Sequence, residues 1–161
     1  MDWNLLLVSH VIAALSALLI APINMVRRRR DRTHRMLGRA WVASMYYVCL
    51  SSFGIVSDGH YSWLHGLSAL TLVTVTLGVL AARQRNIPAH IGNMAGSYLG
   101  LLIAFFFAAL VPTRHIPRLL VSDPTTAIAA ALLVAAGVAA LYLTVRPEGK
   151  TRPRRILTNM P

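Results

Sequence analysis

The sequence is short of three things, and each shortage removes a class of function. It has a single cysteine, Cys49, in 161 residues. That excludes an internal disulfide, a Cys-x-x-Cys redox pair, a cysteine-rich zinc site and the attachment motif of a c-type haem, so any metal or cofactor relies on other ligands. It has five acidic residues, Asp2, Asp31, Asp58, Asp123 and Glu148. With no paired carboxylates and no nucleophile-base pair, hydrolytic acid-base work is poorly supported, and an enzyme built on this chain would be an oxidoreductase. Charge in general is scarce: 13% of residues are charged and 56% are hydrophobic, which is too apolar for a water-soluble domain of this size.

What is present is a series of apolar runs, each near the length of about 20 residues that a bilayer core demands. Five are found: Leu5–Val26, Met36–Val56, Ser62–Ala82, Ile91–Val111 and Thr126–Val145. The connections are short, apart from Pro112–Thr125 with its proline punctuation. The expected fold is an all-α polytopic membrane helical bundle. Residues 1–111 form a four-helix histidine-bearing core of two repeated hairpins, 112–125 an outer loop, 126–145 a fifth transmembrane helix and 146–161 a basic cytoplasmic tail.

Sixteen Lys and Arg against the five acids give a net charge of +11. Fourteen of them fall on one side of the expected bundle, in the Arg27–Arg39 stretch, at Arg83 and Arg85, and in the tail; only Arg114 and Arg118 fall on the other. Lys and Arg of short loops are retained on the cytoplasmic side, so the amino terminus is expected outside and the carboxyl terminus inside a bacterial cytoplasmic membrane. The charge then serves as a topology signal and an attraction to anionic headgroups of the lipid bilayer. No nucleic-acid partner is expected, because there is no folded basic platform, and the Pro- and Arg-containing tail reads as disordered. No basic region precedes the first apolar run, so a cleavable signal peptide is not expected.

Four of the six histidines occupy equivalent places. His10 and His65 lie near the outer ends of the first and third runs, and His34 and His90 at the inner starts of the second and fourth. An internal repeat supports the equivalence: His10-Val-Ile-Ala-Ala-Leu-Ser aligns with His65-Gly-Leu-Ser-Ala-Leu-Thr, and the intervals His10 to His34 and His65 to His90 are 24 and 25 residues. Parallel repeats related by an axis along the membrane normal set His10 opposite His65 and His34 opposite His90.

Facing imidazoles between apolar helices fit bis-histidine haem b, one or two per chain, since iron takes one neutral imidazole on each porphyrin face. Ala13, Ala14, Ala17, Gly38, Ser68 and Ala69 would make room beside the ligands. Gly92, Gly96 and Gly100 form a small-xxx-small stripe suited to close helix packing or to a porphyrin face. Arg35 and Arg39 at the inner side and Arg114 at the outer side are candidate partners for haem propionates, with snorkelling to headgroups as the plainer role. His60, His115 and Asp58 in outer loops are candidates for a zinc or copper site or are simply solvated. The two histidine levels lie on the order of 25 to 30 Å apart, from a rise of about 1.5 Å per residue. Tyr46, Tyr47 and Tyr98 are placed to lie in that gap.

The stretch Thr33-His34-Arg35-Met36-Leu37-Gly38-Arg39-Ala40-Trp41, with Ser62-Trp63-Leu64-His65 and Pro88-Ala89-His90, resembles a family of small bacterial membrane proteins catalogued as a domain of unknown function, over roughly Ser9–Val111. The alternating placement of His10, His34, His65 and His90 is similar in architecture to the cytochrome b five-sixty-one family. That likeness implies transmembrane electron transfer with each histidine as an axial ligand. The sequence does not specify the redox donor and acceptor, for which quinol or another membrane redox protein are candidates, and a homodimer or larger complex is open. Two alternatives stand beside it. One is a non-catalytic membrane subunit or assembly factor, packing through its alanine-rich fifth helix. The other is a histidine-based metal or proton transporter, in which Pro22 and Asn24 break the first helix near its inner end.

Overall fold

In a computed structural model, residues 5–27, 30–56, 60–110 and 124–145 are described. They form five helices: α1 (Leu5–Val26), α2 (Arg32–Ser52), α3 (Trp63–Arg83), α4 (Ile87–Leu110) and α5 (Pro124–Val145). There is no strand among the described residues. Helices α1 and α3, and residues 87–109 of α4, are long and apolar enough to cross a membrane.

Capping residues set the helix starts and shift two of them from the apolar runs. Helix α2 begins at Arg32 rather than Met36, because Asp31 adopts an extended backbone and its Oδ1 accepts the His34 backbone N–H at 3.0 Å. Helix α4 begins at Ile87 rather than Ile91, with Asn86 Oδ1 accepting the Ala89 N–H at 3.2 Å. Pro88 fits there, since a first-turn residue has no intrahelical N–H bond to lose. An apolar run locates the part of a helix that sits in hydrocarbon; the cap ends the helix a turn further out. Helix α2 also stops at Ser52, short of Val56.

The link between α3 and α4 is a Schellman turn. The Asn86 N–H reaches Ala81 O at 2.9 Å and the Arg85 N–H reaches Ala82 O at 3.2 Å, with Arg85 at φ 60° where glycine is usual.

Pro22 does not break α1 in the way the transporter alternative needs; the helix runs on to Val26, the end of the apolar run. A helical proline leaves the carbonyl four residues earlier without its donor. Here that carbonyl is Leu18 O, and the Tyr98 hydroxyl of α4 points to it at 3.5 Å. One residue before, Trp41 Nε1 of α2 donates to Ala17 O at 3.1 Å. Two neighbouring helices thus bind carbonyls in the turn that precedes the proline.

The packing order is α1 on α2, α2 on α3, α3 on α4 and α4 back on α1, while α5 lies against α1 and α2. The diagonal pairs α1/α3 and α2/α4 make no close backbone approach. The core of Ala17, Ile20, Leu37, Trp41, Met45, Val75, Leu101 and Val138 fills the middle of the bundle. The glycine stripe of α4 divides. Gly100 packs tightly, since a Cβ there would meet Thr71 Oγ1 at 2.8 Å, but Gly92 and Gly96 are exposed and open. A helix turns about 100° per residue, so a four-residue stripe drifts around the axis and only one end faces α3.

Candidate functional site

Each end of the bundle carries two of the four histidines. At the end where α1 and α3 begin, His10 lies in the second turn of α1, and its Nδ1 is 2.8 Å from Ser51 Oγ in the last turn of α2. The direction of this bond can be assigned. Ser51 has one hydroxyl proton and is 2.6 Å from the Tyr47 carbonyl, which only accepts, so Ser51 donates there and accepts from His10 Nδ1–H. The Nε2 of His10 is therefore the bare nitrogen. Beside it, Ser9 Oγ and Tyr47 Oη pair at 2.6 Å.

His65 at this end is the third residue of α3 and closes a capping box with Ser62. Its Nδ1 accepts the Ser62 backbone N–H at 3.0 Å, which puts the proton of the neutral ring on Nε2; the Ser62 carbonyl lies 3.2 Å from the same nitrogen. Its Nε2 is buried without a hydrogen-bond partner. Tyr61 meets the ring edge-on at 4.9 Å between centroids, and Phe53, just past α2, lies at 5.9 Å. His10 and His65 thus both sit against the last residues of α2, on helices diagonal to one another.

At the arginine-rich end, His90 lies in the first turn of α4, and its Nδ1 is 2.9 Å from the Gly78 carbonyl of α3. A carbonyl only accepts, so His90 is Nδ1–H and its Nε2 is bare. Helices α3 and α4 approach so closely here that a Cβ on Gly78 would collide with Met94 and stand 3.2 Å from Asn93 Cβ. His34 lies at the same end, in the first turn of diagonal α2. Its Nδ1 is buried and unpartnered.

The cation that closes this end is Arg27, which the sequence reading passed over. Its Nη2 holds Asp31 Oδ2 at 3.0 Å and Oδ1 at 3.2 Å, Nη1 donates to Tyr142 Oη of α5 at 3.3 Å, and the guanidinium lies 5.7 Å above the Tyr142 ring. The i,i+4 spacing of Arg27 and Asp31 was a readable signal; the approach of Tyr142 was not. Arg35 and Arg39 are exposed on α2. Arg114, His115, Arg118 and Asp58 lie outside the described residues, and His60 is exposed. Among the described residues no cluster of three or more His, Cys, Asp or Glu is placed to hold a metal ion.

The Asp31 carboxyl is held below the usual carboxylate range, first by the His34 backbone N–H and then by Arg27, against an opposing desolvation. A lowered folded value contributes stability above the ordinary carboxylate pKa of about 4, lost as pH falls through the folded value. Thermal unfolding in detergent is expected to show an acid-side loss below about pH 4 that shrinks in Asp31→Asn, while Asp31→Ala lowers stability at neutral pH as well by removing the cap. Equal acid profiles in wild type and Asp31→Asn would contradict this.

No curated protein and no solved structure matches the chain. One family does, described as predicted membrane protein (DUF2306), over residues 7–145, a stretch that includes all four core histidines; the chain belongs to this family.

Proposed function

We propose that the protein is a b-type membrane cytochrome. It carries electrons within or across the cytoplasmic membrane, from a donor such as quinol or another membrane redox protein to an acceptor. His10 with His65 and His34 with His90 would hold one haem b at each end. The observation that carries this reading is the tautomer of His10 and His90: each donates Nδ1–H to a fixed acceptor, Ser51 Oγ and Gly78 O, and keeps Nε2 bare. Histidines that ligate metals are held in this way by a second bond that sets ring orientation and raises basicity.

The diagonal placement supports the same reading. Adjacent helices pack at 8–10 Å between axes, so diagonal axes stand roughly 11–14 Å apart, room for a flat macrocycle between two imidazoles that directly packed helices lack. His65 differs: its Nδ1 accepts the Ser62 N–H, so to ligate through Nε2 the ring has to exchange that capping bond for one donated to the Ser62 carbonyl at 3.2 Å. A bound haem iron supplies one-electron transfer, with a potential set by its axial ligands, burial and nearby charge. The chain's residues orient the rings, exclude water and place Arg27 at the arginine-rich end. Trp41 is buried in the core of the bundle, and Tyr46 and Tyr98 pack against that core.

The test is haem quantified per chain in detergent-purified protein after haem-supplemented expression. The expected value is close to two; a colourless protein overturns the proposal and favours the membrane-subunit and metal-carrier alternatives.

A further inference from the structure

Three of the four histidines have their second ring nitrogen accounted for by a partner: His10 by Ser51, His65 by Ser62 and His90 by the Gly78 carbonyl. His34 is the exception, with Nδ1 buried and unpaired. Facing it across the α1/α2 contact is a second exception. Asn24 sits near the end of α1, and its Oδ1 is also buried and unpaired. The two side chains belong to one contact already. Asn24 Nδ2 is 3.4 Å from the His34 carbonyl, and a Cβ on Gly38, one turn beyond His34, would stand 3.6 Å from the same Nδ2.

Burying one unpaired acceptor costs about 1–3 kcal/mol, and an unpaired imidazole N–H costs a similar amount. An acceptor and a potential donor left unpaired in one contact answer each other's need. In the second hairpin, too, the histidine meets a partner on the preceding helix. His90 is served by an acceptor 12 residues earlier on the preceding helix, Gly78 O, and Asn24 stands 10 residues before His34 on its own preceding helix.

We propose that Asn24 is the positioning residue of His34: its Oδ1 accepts the His34 Nδ1–H, directly after a turn of the ring or through one water, and so fixes the tautomer that keeps Nε2 bare. The inference rests on the haem reading for its consequence but not for its geometry. The amide cannot serve in the flipped sense, because its Nδ2 is turned to the His34 carbonyl. A hydrocarbon side chain of similar size removes the acceptor and leaves the packing.

The experiment uses the full chain with nitrogen-15-labelled histidine, as wild type, Asn24→Leu and Asn24→Asp, each checked for unchanged helicity. Wild type is expected to show His34 as the Nδ1–H form. Asn24→Leu is expected to lose that form at His34 and to leave His90 as it was, while Asn24→Asp, which keeps an acceptor, retains it. In haem-loaded protein Asn24→Leu is expected to weaken retention of one haem by about 10–100-fold, the usual effect of losing a ligand's outer partner, and to leave the other unchanged. An unchanged His34 tautomer in Asn24→Leu overturns the proposal, whether or not haem is present. Protein that binds no haem but shows the tautomer change upholds the Asn24–His34 pair and removes the cytochrome reading alone.

Discussion

His90→Ala is expected to bring haem content from two per chain to one, and His34→Ala to remove the same haem. The matching pair is His10→Ala and His65→Ala, each removing the other. The pairing makes double variants decisive. His34→Ala with His90→Ala should lose no more than either alone, because both changes empty one site, whereas His90→Ala with His65→Ala should lose everything. Free imidazole added to His90→Ala is expected to restore the lost haem in part. It would fill the space of the missing ring beside the Gly78 carbonyl, which stays in place because it belongs to the backbone. Pigment quantified across the four single and two double variants checks the scheme. A set in which His10→Ala and His90→Ala remove the same haem would overturn the assignment of ligands to diagonal helices.

The second large effect is structural. Trp41→Ala is expected to cost about 3–5 kcal/mol, the range for removing a buried aromatic from a packed interior. Trp41 is 4% exposed and belongs to the central core with Ala17, Leu37 and Met45. It also carries the Nε1–H that binds Ala17 O in the turn before Pro22. Trp41→Phe keeps most of the ring and loses the bond, and should cost nearer 1 kcal/mol. Unfolding in a graded denaturing detergent measures both. Equal stability of Trp41→Ala and wild type would contradict the place given to this residue at the α1/α2 contact.

The helices were largely legible in the sequence because membrane helices announce themselves by length and apolarity. Leu5–Val26 coincides with α1, and the third and fifth runs differ from α3 and α5 by a residue or two. The starts of α2 and α4 were not, since Asp31 and Asn86 act through caps that an apolar count ignores. Pro22 left open whether α1 is broken: a proline frees a carbonyl, and whether the helix continues depends on donors from elsewhere, here Tyr98 and Trp41. The four histidines could be picked out by period and repeat. Their second partners could not, as Gly78 serves His90 through its backbone and Ser51 reaches His10 from 41 residues away. Arg35 and Arg39 lie near His34 in sequence yet are exposed, and the half-buried cation that holds Asp31 and Tyr142 is Arg27. Adjacency in sequence is a poor guide on a helix, where neighbours point about 100° apart.

The central claim, two neutral imidazoles on one iron, is tested most directly by the visible spectrum of dithionite-reduced protein before and after carbon monoxide. The account predicts sharp low-spin b-type bands that carbon monoxide does not shift, because both axial positions are filled. A reduced spectrum that is high-spin and converts on adding carbon monoxide, or no haem bands at all, would contradict it.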